Sequence, residues 1–203
     1  MQPNGHLCVY VSIASDKIVT EIELLNKIKE NPSGFAELFK IYYKPIFGYI
    51  LRRTGAFNDT ADIAADTFLK AFQHINSFSY RGISIKVWLY RIATNEVNQY
   101  FRNKQKHHSV FERLDFEGKD IFRHYLDEDR AQLETELQKH GQFLSVLTCL
   151  KTLPSKYQGV IALKYFEGKD NKEIAEILRL NEGTLKSLLS RGLVKLREKC
   201  NQI

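Results

Sequence analysis

DNKEIAEILRLNEGTLKSLLSRGLVKLREK, residues 170–199, predicts two short helices joined by a tight turn. Asp170 and Asn171 can cap the first helix. The apolar positions of that helix recur at helical spacing, at Ile174, Ala175, Ile177 and Leu178. The pattern breaks over residues 179–181, and a second helix opens around residues 182–184. The segment is therefore predicted to be a helix-turn-helix unit.

The second of these helices has one apolar and one polar face. Its apolar face is formed by Leu185, Leu189, Gly192 and Leu196. Its opposite face carries Ser187, Ser190 and Arg191, with Lys186 and Lys195 on the flanks. The major groove of DNA admits one helix, small side chains let its backbone approach, and basic side chains can reach phosphates or guanine. The pattern favours DNA binding over the alternative, a helical hairpin with solvated lysines.

Composition limits the class of protein. The chain has 203 residues, enough for one domain or two small ones, and a formal net charge of +6, which suits a polyanionic partner. Hydrophobic residues make up 43%, so a disordered chain is excluded. With four prolines and dominant helical periodicity, we expect an all-α protein. The three scattered cysteines argue against a disulfide framework or zinc site and fit a reducing cytoplasm.

The first 106 residues predict an extension followed by a helical domain. The apolar stretch over residues 7–14 is too short to cross a bilayer. Residues 1–21 are expected to be an N-terminal extension to the helical domain. Residues 22–106 carry successive helical patterns. Ser33 is predicted to cap a long helix that Pro45 kinks or divides and that Gly55 ends. Asn58 or Asp59 is predicted to cap the helix that follows.

The rest of the chain predicts a charged linker and a second domain. Periodicity weakens and charge rises over residues 107–129. Residues 130–203 then carry a helix around residues 131–150, another that starts at Leu153-Pro154, and the helix-turn-helix unit. We therefore predict two small helical domains joined by a charged linker.

The helix predicted over residues 86–102 has a second polar stripe. Trp88, Asn95, Gln99 and Arg102 share it, together with Arg91. Amides beside an aromatic ring and arginines can stack on and hydrogen-bond to unpaired bases. The loop before the helix, with Tyr80 and Arg81, can form a pocket for an extruded base. Alternatively, Trp88 belongs to the core and Asn95 caps or bridges helices.

Taken together, these segments resemble an extracytoplasmic-function (group IV) sigma factor of bacterial RNA polymerase, in the sigma-70 family. The matching motifs in the first domain are residues 35–39 with Tyr42-Tyr43, residues 62–68, and residues 88–93 with Asn95. Those in the second are Leu153-Pro154 and residues 164–168, 173–178 and 183–187. Each motif alone is weak evidence for this family, but the order and separation of all of them together are specific to it.

The resemblance implies roles for particular residues. The first domain would be sigma region 2, binding the clamp helices of the polymerase β′ subunit through Asp62, Asp66, Phe68 and Leu69. It would also hold the melted −10 element with Tyr80, Arg81, Trp88, Asn95 and Gln99. The second domain would be sigma region 4, resting on the β flap and reading the −35 element with Lys164, Lys186, Ser187, Ser190 and Arg191.

The resemblance also implies partners and a location. The partners are core RNA polymerase, promoter DNA and an anti-sigma factor, and the free chain would be a cytoplasmic monomer without membrane insertion. No cofactor, metal or catalytic residue is implied.

Four positions depart from the family pattern. Arg179 stands in the turn where glycine is frequent, and Leu188 where arginine is common. Ala65 replaces a frequent glutamine, and the loop between Gly82 and Trp88 is one residue short.

Two alternatives remain beside the sigma factor. A helix-turn-helix regulator acting without core polymerase would share the second domain but leaves the Trp88 to Asn95 arrangement unexplained. An enzyme is disfavoured, because His107, His108, His124 and His140 lack metal-ligand spacing and no phosphate-binding loop or nucleophile elbow occurs.

Overall fold

The computed structural model describes residues 21–80, 82–106 and 141–201, and every regular element in those ranges is helical. The expectation of an all-α protein is confirmed. The predictions for the N-terminal extension, for Arg81 and for the linker over residues 107–129 lie outside the described residues.

Helices α1 to α4 form an N-terminal bundle. Its members are α1 over residues 21–30, α2 (Phe35–Thr54), α3 (Phe57–His74) and α4 (Ile85–Lys106), with short 3-10 turns at Pro32–Gly34 and Ile75–Ser77. Aromatic rings fill the core, and Phe39 packs edge-on against Phe68 with ring centroids 4.8 Å apart. Leu89, Ala93 and Val97 of α4 are fully buried in the same core.

The boundaries of α2 and α3 correct two sequence predictions, the caps at Ser33 and at Asn58 or Asp59. Pro45 lies inside α2, so of the two outcomes predicted for it, a kink or a division, the helix is not divided. Ser33 is not the cap, because Asn31 accepts the Ser33 backbone N–H and starts the 3-10 turn from which α2 continues. Neither Asn58 nor Asp59 caps α3, which begins at Phe57 with Ala56 as its N-cap residue. The prediction for Gly55 is confirmed, since it ends α2 at φ 67°, a conformation that favours glycine.

Helices α5 to α8 form a C-terminal bundle. Its members are α5 (Gly141–Thr152), α6 (Ser155–Ile161), a π-helical turn at Ala162–Phe166, α7 (Asn171–Leu178) and α8 (Glu182–Cys200). The buried Gln158 amide donates to the carbonyls of Lys151 and Leu153, which fixes the corner between α5 and α6. Gly192 lets α8 approach Tyr157 and Ile161 of α6 closely.

The two bundles pack against each other. α4 contacts α6 and α7, and α2 contacts α5 and the π-helical turn. The buried apolar residues of both bundles form one continuous cluster. In the part of the chain that the structure describes, no helix is both long and apolar enough to cross a membrane.

Candidate nucleic-acid interface

The helix-turn-helix unit is built by local capping. Asp170 accepts the Glu173 backbone N–H at 2.8 Å, and the Glu173 carboxylate accepts the Asp170 N–H in return. α7 ends at Arg179, whose φ of 54° is left-handed. Asn181 then accepts the Thr184 N–H at 2.7 Å and starts α8. The predicted helices and turn are therefore confirmed.

The two faces of α8 are separated as the periodicity predicts. Leu185, Leu189 and Gly192 are buried against the bundle. The exposed side chains of the opposite face include Lys186, Ser187, Ser190 and Arg191. Arg191 is held along the helix, because its Nη2 donates to Ser187 Oγ at 2.9 Å and its Nε to the Ser187 carbonyl at 3.2 Å. This face presents hydroxyls and cations to solvent on a rigid helix.

Lys164 lies apart from these residues. It is half-buried within the π-helical turn rather than on α8, and its neighbour Tyr165 is exposed. The predicted −35 residues therefore come from two elements of the C-terminal bundle.

The polar stripe on α4 is also present. Asn95, Gln99 and Arg102 are exposed, whereas Trp88 is half-buried and stacks on Phe78 with centroids 4.8 Å apart. Trp88 thus contributes to the core, as the alternative expected, and leaves part of its side chain accessible. The arrangement combines amides, an arginine and an aromatic edge along one helix.

The loop before α4 contains a left-handed glycine and a side-chain hydrogen bond to the first turn of the helix. Gly82 has a φ of 78°, which glycine accommodates without strain. Ser84 Oγ accepts the Val87 N–H at 3.2 Å, which helps to start α4. Tyr80, in the loop before α4, is half-exposed.

The acidic surface on α3 needs one correction. Asp62 and Asp66 are exposed and Leu69 is half-buried. Phe68, predicted on the same surface, is 0% exposed because it packs between Phe39 and Tyr43. Helical spacing shows which residues share a face, but not how far the core extends around the helix. Phe68 therefore belongs to the core beneath this surface and is not part of the exposed contact area.

Sequence reasoning missed the polar residues between the bundles. The Glu167 carboxylate accepts hydrogen bonds from Arg52 and Tyr90, and the Ser155 hydroxyl lies between Arg53 and Asn98. Arg91, predicted on the α4 stripe, donates instead to the Glu176 carbonyl at 2.7 Å. Burial, with the nearby charge of Arg179, lowers the pKa of Arg91. No signal in the sequence pairs residues so far apart.

Within the described ranges, no cluster of histidine, cysteine or acidic residues is suited to hold a metal ion. What the geometry offers is two polar, partly basic helical faces, one on each bundle, and an acidic patch on α3. This combination defines a helical nucleic-acid-binding protein with a helix-turn-helix unit.

Comparison with known proteins gives the family. Sequence profiles of sigma-70 region 2 and sigma-70 region 4 match residues 38–107 and 143–196. The ECF RNA polymerase sigma factor SigW of Bacillus subtilis is 30% identical over 193 residues, which cover 90% of this chain and 100% of SigW. The ECF RNA polymerase sigma-E factor of Haemophilus influenzae is 28% identical, and the match covers 89% of this chain and 95% of the sigma-E factor.

Solved structures share the fold. CnrH, in complex with the cytosolic domain of CnrY, aligns with a TM-score of 0.63 and 20% identity, covering 90% of this chain and 97% of CnrH. The sigma factor RpoE of Bartonella quintana, in complex with the anti-sigma factor NepR, aligns with a TM-score of 0.57 and 19% identity. The alignment covers 82% of this chain and 96% of RpoE.

The chain belongs to the extracytoplasmic-function RNA polymerase sigma factors. It is a promoter-directing initiation factor, which binds core RNA polymerase and promoter DNA.

Proposed function

We propose that the exposed face of α8 reads the −35 element as duplex DNA. Lys186, Ser187, Ser190 and Arg191 all lie on this face or its flank, and Lys164 adds a cation from the π-helical turn. The hydroxyls can hydrogen-bond to base edges or phosphates, and Arg191 can reach either. The observation that carries this proposal is the exposure of these side chains opposite the buried Leu185 and Leu189.

The stripe on α4 is proposed to hold the melted −10 element. Asn95 and Gln99 offer amides to the edge of an extruded base, and Trp88 offers part of an aromatic face. Tyr80 and Arg81 complete the proposed pocket from the preceding loop. Exposed amides beside a stacked ring support single-stranded rather than duplex recognition.

The acidic patch on α3 is proposed as the contact with the clamp helices of the β′ subunit. Asp62 and Asp66 stand one turn apart and face solvent, so they can attract a basic partner helix, and Leu69 adds apolar area. The proposed domain bounds are residues 22–106 for region 2 and residues 130–203 for region 4, with residues 107–129 as the linker.

A regulatory partner of this chain is proposed from its similarity to a solved structure. RpoE of Bartonella quintana, which shares this fold, is bound by the anti-sigma factor NepR in its structure, so we propose an anti-sigma partner for this chain. The chain is proposed to act in the cytoplasm as an initiation subunit, not as an enzyme. Region 4 is proposed to rest on the β flap.

The test is run-off transcription on pooled genomic fragments, with core polymerase alone and with this protein. Discrete new transcripts that require both are expected. Replacing Asp62 and Asp66 by alanine should abolish these transcripts and binding to core, whereas Glu23→Ala on α1 should do neither. If the protein shifts duplex fragments strongly without polymerase and no transcript appears, it acts as a helix-turn-helix regulator instead.

A further inference from the structure

Two cysteines that are far apart in the sequence meet inside the C-terminal bundle. Cys149 lies in α5 and is 1% exposed, and Cys200 is the last residue of α8 and is half-buried. α5 packs against α8, and the two free thiols share a hydrogen bond. The spacing of the cysteines gives no sign of this contact, because helix packing rather than local sequence brings them together. We call Cys149 and Cys200 the thiol pair.

Local hydrogen bonds fix the helix turns that carry the thiol pair. At the end of α5, Thr152 Oγ1 donates to the Cys149 carbonyl at 2.8 Å. At the end of α8, the Asn201 backbone N–H donates to the Arg197 carbonyl at 3.0 Å, which keeps the last turn helical. Both cysteines therefore stand on regular helical turns, and their contact follows from the packing of α5 on α8.

The placement of the thiol pair suits a disulfide. Two cysteines can be bridged only where the fold brings their side chains together, since the sulfur atoms must approach to about 2 Å. Hydrogen-bonded thiols need only a small movement to reach that distance. A buried cysteine such as Cys149 packs well as a small apolar residue on its own. The half-buried Cys200 beside it adds access for an oxidant, which packing alone does not require.

We propose that the thiol pair is an oxidation site, at which a peroxide converts Cys149 and Cys200 into a disulfide that stabilises the C-terminal bundle. The peroxide first oxidises the accessible Cys200 thiol to a sulfenic acid and releases water. The Cys149 sulfur then attacks the sulfenic sulfur, so that the S–S bond forms and the S–O bond breaks. The hydroxyl leaves with the Cys149 proton as a second water. The two sulfurs lose two electrons in total, the peroxide gains them, and a dithiol reverses the reaction.

The hydrogen bond between the thiols makes this oxidation slow. Together with burial, the hydrogen bond from Cys149 raises the pKa of Cys200 to about 11. Because the thiolate is the reactive form, a thiol that is protonated at neutral pH reacts slowly with a peroxide. Sustained oxidation is therefore needed to form the disulfide, and a reducing cytoplasm keeps the thiol pair reduced.

The disulfide would enclose the whole helix-turn-helix unit. It joins the first helix of the C-terminal bundle to the last, and the closed loop of roughly fifty residues contains α6, the π-helical turn, α7 and α8. Closing a loop of this length restricts the unfolded chain and so favours the folded bundle. Lys186 and Arg191 lie in the first half of α8, away from Cys200, so their exposed face stays free.

The first test treats the full-length protein with hydrogen peroxide. Mass spectrometry of peptides prepared without reductant should find Cys149 linked to Cys200 with the loss of two hydrogens, and dithiothreitol should separate the two peptides. Cys8→Ser is the matched control, since it removes the remaining cysteine of the chain and should leave the link intact. A link to Cys8 instead, sulfinic acid at Cys200 without a link, or two unmodified thiols would each overturn the proposal.

The second test measures the effect of the disulfide on the bundle by hydrogen–deuterium exchange. Oxidation of the wild type should slow exchange of the α8 amides by roughly tenfold or more. Cys200→Ser, treated in parallel, should show no change on oxidation. Cys149→Ala is the second variant, and circular dichroism should show that both remain folded when reduced. A link that forms while exchange in α8 stays the same or becomes faster would overturn the stabilising role. Neither test uses DNA or polymerase, so both are independent of the proposed function.

Discussion

The Tyr90 hydroxyl donates a 2.7 Å hydrogen bond to Glu167 Oε2, and this bond connects α4 to the turn that follows α6. Burial raises the pKa of Tyr90, and the Glu167 carboxylate raises it further. The phenol is therefore a proton donor throughout the physiological range. Two residues 77 positions apart thus join the proposed −10 helix to the bundle that carries the −35 helix.

Lys169 should contribute more to the stability of the folded protein as the pH rises from 7.5 to 9.5. Lys169 of the C-terminal bundle is 5% exposed, with its ammonium 4.6 Å from the centroid of the Tyr90 ring. Burial and the charge of Lys86 lower the pKa of Lys169 to about 8, although Glu173 and Glu167 oppose the change. In the unfolded chain Lys169 leaves Tyr90 and Lys86, so its pKa moves back toward 10.5.

The direction of the effect follows from proton binding. Between pH 8 and 10.5 the unfolded chain holds more protons at Lys169 than the folded protein, so raising the pH through this range favours the folded state. The free energy of unfolding contributed by Lys169, measured by urea denaturation from pH 7.5 to 9.5, should therefore rise. Lys169→Met keeps an apolar stem without the titrating group and should remove this contribution. A free energy of unfolding with the same pH dependence in the wild type and in Lys169→Met contradicts this assignment.

Asn95→Ala should strongly reduce open-complex formation while leaving core binding intact. The Asn95 amide is exposed on the α4 stripe, where it can hydrogen-bond to an unpaired base. Permanganate footprinting of the melted −10 region measures the effect. Asn103→Ala, an exposed amide two turns further along the same helix, is the matched control. An equal loss of core affinity in Asn95→Ala would assign this residue to folding or to the polymerase surface.

Arg191→Ala should weaken recognition of the −35 element. If the guanidinium reads a base, affinity should fall by about 1–3 kcal/mol and specificity at that position should relax, whereas a phosphate contact should lower the salt slope by about 1. Fluorescence anisotropy of holoenzyme on promoter duplexes at several salt concentrations separates the two cases. Arg197→Ala, an exposed arginine in the last turn of α8, should have little effect. Unchanged affinity and slope would remove Arg191 from the reading face.

Arg179→Gly should stabilise the protein by about 0.5–1 kcal/mol. Arg179 adopts a φ of 54°, which costs an ordinary side chain about 1–2 kcal/mol, and glycine regains part of this at an entropic cost. Urea denaturation measures the free energy of unfolding. Arg179→Ala removes the charge but keeps the unfavourable conformation, so it should not stabilise. Equal stabilisation by both variants would show that the charge, which also lies near Arg91, is responsible.

The sequence predicts local features of the interface well and distant ones poorly. The cap at Asp170, the break over residues 179–181 and the apolar face of α8 were predicted, because capping and helical period act within a few residues. The cap at Ser33 was wrong because a 3-10 turn capped by Asn31 precedes α2, so Ser33 lies inside that turn and donates its own N–H to Asn31. Phe68 was misplaced because periodicity does not give the depth of the core. The pairing of Arg52 with Glu167 joins positions 115 residues apart, and no local pattern encodes it.

The central proposal is that one protein reads two promoter elements at a spacing fixed by core polymerase. The most direct test uses a promoter found by run-off transcription, with five base pairs inserted between its −35 and −10 elements. Half a helical turn rotates one element away from its domain, because a full turn takes about 10.5 base pairs. Transcription should fall at least tenfold, while duplex binding to the isolated −35 element stays unchanged. Undiminished transcription from the lengthened promoter would contradict the account.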